Sequence, residues 1–147
     1  MSSSEAGSEE RQRGVALFNG VWKLIASRED DDRMLHMAHA SRYAWGEAPA
    51  CRPENIARGE WLVSRVYCVL GRGEPALFHA RRCLSVCESS GIGDWDLAYA
   101  YEALARAASA AGDFSGATEW RERARAAGDA IADPVDREHF DEDFATL

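Results

Sequence analysis

Two histidines and their neighbours on a helix predicted for about residues 32–45 are the first residues whose types and spacing suit chemistry. Four side chains at i, i+4, i+7 and i+11 lie on one face of this helix: Asp32, His36, His39 and Tyr43. The His-x-x-His pair can direct two imidazoles at one metal ion, with an aspartate as third ligand. Glu60 and His79 are further residues that packing could bring to this site. Two alternatives remain open: histidines that only hydrogen-bond to neighbouring helices, and a polar pocket for a small ligand.

A second group lies on the next predicted helix and suits the binding of a partner. It comprises Arg58, Trp61, Ser64 and Arg65. The two arginines are seven residues apart and therefore share a face, where guanidinium groups can hold a carboxylate through charge-assisted hydrogen bonds. Tyr101, on a later helix, is predicted to extend this surface. The alternative is a solvated face in which Glu60 and Arg65 are ordinary surface charges.

Other catalytic and cofactor-binding motifs are missing from the sequence. It has no Gly-x-Ser-x-Gly nucleophile elbow and no Gly-rich phosphate loop, since Gly71-Arg72-Gly73 and Gly91-Ile92-Gly93 are typical of turns between helices. None of the four cysteines belongs to a Cys-x-x-Cys pair, so we interpret them as small apolar residues in a reducing compartment. The five tryptophans are interpreted as packing residues. No catalytic residue and no cofactor is therefore predicted, and enzymatic activity stays an open but less favoured alternative.

Length, composition and charge restrict the class of protein. The chain has 147 residues, 46% of them hydrophobic, and a formal net charge of −8 from 17 basic and 25 acidic residues. This predicts one domain with a substantial core. Residues 129–147 hold seven acids and one arginine, hence −6 of the −8, and clustered cations that could bind nucleic acid are absent. No apolar run suits a membrane span and residues 1–14 lack the core of a signal peptide, so we expect a cytoplasmic protein.

The pattern of apolar residues, Gly and Pro predicts seven helices and no strand, hence an all-α fold. The predicted helices cover about residues 10–27, 32–45, 53–70, 74–89, 94–111, 113–127 and 135–144. Residues 1–13 are predicted to be a disordered segment, and residues 14–147 a single helical domain that ends in an acidic helix and tail.

Two segments of the chain repeat at a spacing of 41 residues. The spacing relates Gly71 to Gly112, Ala76 to Ala117 and Cys83 to Ala124. The pattern resembles the tetratricopeptide repeat, with Val63, Ser64, Tyr67, Gly71, Ala76, Ala80 and Cys83 in one copy and Leu104, Ala105, Ala108, Gly112, Ala117, Arg121 and Ala124 in the next. A poorer third copy places Met34, Ala38 and Ser41 in the slots of a second helix. The period exceeds the usual ~34 residues, and Arg121 replaces a bulky apolar residue.

The resemblance covers residues 57–127 and, more weakly, 14–46. It implies a short right-handed solenoid of antiparallel helix pairs that holds a protein or peptide on its concave face, without catalysis. The predicted contacts on that face are Arg58, Trp61, Ser64, Arg65 and Tyr101, and the arginines favour an acidic partner. The alternative function is a small-molecule or metal-binding protein, with or without catalysis, that uses the His36/His39 stripe. A homodimer formed through alanine-rich faces is the third hypothesis.

Overall fold

In a computed structural model, seven α-helices account for most of the chain. The structure describes the backbone of residues 3–147 and the side chains of residues 9–147, and this part contains no β-strand. The helices are α1 Ser3–Ser27, α2 Asp31–Glu47, α3 Pro53–Val69, α4 Gly73–Ser89, α5 Asp94–Ala110, α6 Phe114–Asp129 and α7 Pro134–Phe144. The all-α fold predicted from the sequence is therefore confirmed. No helix within the described residues is both long enough and apolar enough to cross a bilayer.

The first helix starts earlier than the sequence predicted. α1 begins at Ser3, whereas the sequence predicted a helix from about residue 10 and a disordered segment over residues 1–13; residues 1 and 2 and the side chains of residues 3–8 lie outside the described part. Two contacts stabilise the N-terminal part of α1 whose side chains are described: Arg13 forms an ion pair with Glu10 at 3.0 Å, and the guanidinium of Arg11 lies 5.8 Å from the Trp45 ring centroid on α2. Packing against α2 thus continues a helix whose composition alone favours disorder.

The helices form three antiparallel pairs, α1–α2, α3–α4 and α5–α6, followed by α7. Each odd-numbered helix contacts the next odd-numbered one, and each even-numbered helix packs against the odd-numbered helix that follows it. In the described part of the chain, α2 and α4 meet through the rings of His39 and His79, while the backbones of successive even-numbered helices stay apart. The result is a stack with an odd-helix layer, made by α1, α3, α5 and α7, and an even-helix layer, made by α2, α4 and α6. This is the arrangement of a helical solenoid.

The turns inside the second and third pairs have the same geometry, 41 residues apart. Gly71 and Gly112 have φ of +72° and +80°, a conformation that glycine adopts without strain. The next residue closes each turn, because Arg72 N–H donates to the Tyr67 carbonyl and Asp113 N–H to the Ala108 carbonyl, both at 2.9 Å. This is the 6→1 bond of a Schellman motif. The repeated glycines of the sequence therefore mark equivalent helix ends.

Most residues that the repeat places in its second helices are buried. In α4 these are Ala76, Ala80 and Cys83, and in α2 they are Met34, Ala38 and Ser41; all six are buried. The last pair differs, since Ala124 is buried but Arg121 is exposed. The helix that follows α6 in the described part of the chain, α7, has only 11 residues, and the Arg121 guanidinium lies 5.0 Å from the Phe144 ring centroid at its end. The departure from the repeat pattern thus coincides with a shorter following helix.

Candidate functional site

A pocket of about 370 Å³ opens on the odd-helix layer and contains two of the residues predicted to bind a partner, Arg58 and Trp61. Every odd-numbered helix contributes to it, with α4 at one point of its wall. The lining residues are Phe18, Trp22, Ala57, Arg58, Trp61, Cys83, Trp95, Asp96, Tyr99, Asp136 and His139. The pocket lies within the size range of ligand-binding sites. We call it the aromatic pocket.

Aromatic rings from three helices form the walls of the pocket. The Trp22 and Trp61 ring centroids are 5.5 Å apart, and Trp61 and Tyr99 follow at 5.6 Å. Tyr99 meets Trp61 at an interplanar angle of 76° and Trp95 at 87°, so the tyrosine ring is nearly perpendicular to both tryptophans. Because α1, α3 and α5 each supply at least one ring, the stacking of helix pairs creates the pocket.

An ion pair between neighbouring odd-numbered helices provides most of the charge in this wall. Arg58 on α3 donates from Nε and Nη2 to the two carboxylate oxygens of Asp96 on α5, both at 3.0 Å. Asp96 is 9% exposed, and its hydrogen bond raises the pKa of the Arg58 guanidinium. The guanidinium carbon also lies 4.5 Å from the Trp95 ring centroid. Asp96 therefore fixes Arg58 and largely neutralises its charge. The sequence had predicted an arginine that is free to bind a partner's carboxylate.

The acidic helix α7 closes one side of the pocket. The Tyr99 hydroxyl donates to an Asp143 carboxylate oxygen at 2.6 Å, and burial together with this bond raises the pKa of the tyrosine. Asp136 and His139 reach the pocket from the same side. Within the described residues, the Asp136 carboxylate has no hydrogen-bond or ion-pair partner.

The remaining residues of the predicted partner-binding face lie elsewhere. Arg65 is 19% exposed and lies 3.6 Å from the buried carboxylate of Glu102, in a separate open cleft. The Ser64 hydroxyl is buried and donates to the Ala76 carbonyl at 2.8 Å, which joins α3 to α4. Tyr101 stacks on Trp120 with ring centroids 6.0 Å apart. Only Arg58 and Trp61 of the predicted set therefore share a site.

The second predicted site is also divided by the fold. Glu60 of α3 is 3% exposed and binds Arg42 of α2 at 3.1 Å and His79 and Arg82 of α4 at 2.6 and 3.1 Å. A carboxylate only accepts hydrogen bonds, so Nδ1 of His79 carries a proton. Burial raises the pKa of Glu60, but the hydrogen bonds from His79 and Arg82 outweigh it and lower the pKa overall. We call these residues, with His39 and Tyr67, the Glu60 cluster.

His39 is the one residue of the predicted histidine stripe that joins this cluster. Its Nε2 lies 3.0 Å from the Tyr67 hydroxyl, and its ring centroid lies 5.5 Å from that of His79. Burial, then the proximity of His79, lowers its pKa. His36 is exposed, and its polar contacts among the described residues are with Asp32 of its own helix; Tyr43 is 69% exposed.

The stripe does not form a metal site in this arrangement. Among the described residues, no three or more His, Cys, Asp or Glu side chains are close enough together to hold a metal ion. His79 and His39 instead each use one ring nitrogen for a hydrogen bond within the protein. The Glu60 cluster therefore joins α2, α3 and α4. His39 hydrogen-bonds to a neighbouring helix, as one of the alternatives to a metal site predicted.

Sequence reasoning missed most of the aromatic pocket. It assigned the tryptophans to packing, and it did not select Trp22, Trp95, Asp96 or Tyr99 as site residues. One signal was present, because Trp22, Trp61 and Trp95 fall on three successive odd-numbered helices.

No family model, curated protein or solved structure matches this chain.

Proposed function

We propose that this protein is a non-enzymatic binding module that holds a segment of a protein or peptide partner in the aromatic pocket. The observation that carries this proposal is an open pocket of about 370 Å³ whose walls are the rings of Trp22, Trp61, Trp95 and Tyr99. Large aromatic side chains contribute most strongly to binding energy at protein interfaces because they bury much area with little loss of conformational entropy.

The tryptophans also offer hydrogen-bond donors. Every buried side-chain nitrogen or oxygen among the described residues has a hydrogen-bond partner. The indole N–H groups of Trp22, Trp61 and Trp95 have no partner in that part of the chain, so they reach solvent. A peptide supplies a carbonyl acceptor at every residue, which suits several donors around one apolar pocket.

Selection of peptides followed by NMR tests the proposal without a mutation that could unfold the protein. Peptides from a random displayed library are selected on the immobilised protein and titrated into ¹⁵N-labelled protein. The chain has five tryptophans, and Trp45 and Trp120 lie outside the pocket and serve as internal controls. We expect the indole signals of Trp22, Trp61 and Trp95 to shift with saturation, while those of Trp45 and Trp120 stay in place.

Two outcomes would contradict the proposal. One is that no selected peptide shifts the three pocket indoles, and the other is that the shifts occur at Trp45 or Trp120 instead. A Trp61→Ala variant adds a measure of magnitude: the loss of a central interface tryptophan is expected to weaken peptide binding by roughly 30-fold, with a Trp45→Ala variant as the matched control.

A further inference from the structure

We infer that the aromatic pocket recognises a cationic group on an apolar stem, namely the arginine or lysine side chain of a peptide. This inference rests on the proposed function and adds the chemistry of the ligand to it. The observations that carry it are the ring geometry, the charges that line the pocket and the contact that Arg58 already makes there.

The ring geometry suits a cation. The face of an aromatic ring carries partial negative charge, and a cation within about 6 Å of the ring centroid is attracted to it. Trp61 and Trp95 are both nearly perpendicular to Tyr99, so rings of different orientation surround the same space. One such contact is already present, because the guanidinium of Arg58 lies 4.5 Å from the Trp95 ring centroid. The faces of Trp22 and Trp61 have no cation over them within the described residues.

The charges that line the pocket favour a cation as well. Arg58 is bound through two hydrogen bonds to Asp96, so the pair contributes almost no net charge. Asp136 adds a carboxylate that has no partner among the described residues. The Tyr99 hydroxyl donates a hydrogen bond to Asp143, and this bond makes the phenol ring more electron-rich and more attractive to a cation. A carboxylate without a partner among the described residues and several aromatic faces thus occur in one place.

The same arrangement argues against the acidic partner expected from the sequence. That expectation required arginines that are free to bind, whereas Arg58 is paired with Asp96 and Arg65 lies beside the buried carboxylate of Glu102. An acidic ligand in the pocket would compete with Asp96 for Arg58 and would lie against Asp136. Like charges brought together in one pocket disfavour binding.

Four short peptides that differ at one residue test the inference. Each has the form acetyl-Gly-Gly-Xaa-Gly-Gly-amide, where Xaa is arginine, citrulline, leucine or glutamate, and each is titrated into ¹⁵N-labelled protein at low salt while the indole signals are followed. Citrulline has almost the shape of arginine but carries no charge. We expect the arginine peptide to bind about tenfold more tightly than the citrulline peptide, and the glutamate peptide to bind least.

A pair of variants on α7 separates the pocket from the general charge of the protein. Asp136→Asn is expected to reduce the preference for arginine over citrulline by at least threefold, while Glu138→Gln, an exposed acid that does not line the pocket, leaves the preference unchanged. Binding of citrulline or leucine as tightly as arginine would overturn the inference and leave the binding module intact. If none of the four peptides shifts the pocket indoles, the inference fails, and the peptides selected from the library decide the proposed function separately.

Discussion

Replacement of Glu60 by glutamine tests whether the buried carboxylate of the Glu60 cluster holds the first two helix pairs together. The glutamate is 3% exposed and accepts hydrogen bonds from Arg42, His79 and Arg82. Glutamine has nearly the same shape but no charge, so the Glu60→Gln variant removes the charge assistance and leaves the cations without their counter-ion. The amide nitrogen would also face either the proton on Nδ1 of His79 or the protons of both Arg42 and Arg82, since glutamine has only one acceptor oxygen.

The magnitude follows from the exposure of each partner. Arg82 is 52% exposed, so water compensates for most of its loss, whereas Arg42 and His79 are 23% and 17% exposed. Hydrogen bonds to charged groups contribute about 1.5–3 kcal/mol each, and a broken buried ion pair costs about 3–5 kcal/mol. Because the glutamine oxygen can still accept from the two arginines that share Oε1, the loss is mainly that of the charge and of the His79 hydrogen bond, and we expect a decrease of about 3 kcal/mol in the free energy of unfolding.

Urea unfolding followed by circular dichroism at pH 7 measures this loss. The matched control is Glu54→Gln, an acid on the same helix that is 33% exposed and lies 3.8 Å from Arg52. It is expected to change stability by less than about 0.5 kcal/mol. If Glu60→Gln were no more destabilising than Glu54→Gln, the reasoning about the buried carboxylate would be refuted.

Two further predictions concern pH and packing. The pKa of His39 lies below its ordinary 6.5 because of burial and the proximity of His79. As the pH falls, the unfolded chain therefore takes up a proton at this histidine before the folded chain does. Unfolding free energies measured from pH 7.5 to 5 should therefore fall as the pH drops below about 6.5, and His39→Gln should flatten the curve. Gly73→Ala should cost about 2–3 kcal/mol in the same urea assay, because the new Cβ would meet the backbone of Ala110 and Ala111. The Cβ added by Gly71→Ala would meet no atom within 4 Å. This substitution should cost only about 1 kcal/mol, because alanine adopts the left-handed conformation less easily than glycine.

The helices could be predicted from sequence because their signals are local. Pro53 starts α3, Asp133 caps α7 through the N–H groups of Val135 and Asp136, and Gly71 ends a helix in a conformation that other residues avoid. Each signal acts within one turn of helix and needs no tertiary contact. The predicted start of α1 was wrong because local signals do not include tertiary contacts. Arg11 packs on Trp45 of α2, which is distant in sequence, and this contact stabilises the N-terminal part of α1.

The site could be predicted only in part because its contacts join distant residues. The Arg58–Asp96 pair spans 38 residues, and the Tyr99–Asp143 hydrogen bond spans 44. Both depend on the way one helix pair stacks on the next, which local spacing does not encode. The sequence therefore identified Arg58 as a charged residue of a binding face but could not show that Asp96 neutralises it.

Three buried acids lie beside a large share of the arginines, so the net charge is unevenly distributed over the protein. Glu60, Asp96 and Glu102 are at most 9% exposed, and each lies beside at least one arginine. Five arginines are engaged in this way: Arg42, Arg58, Arg65, Arg82 and Arg106. These clusters contain more cations than anions, so the remaining residues are more acidic than the total of −8 indicates. A cationic ligand is therefore attracted by the field of the rest of the chain as well as by the pocket, and high salt should slow its association.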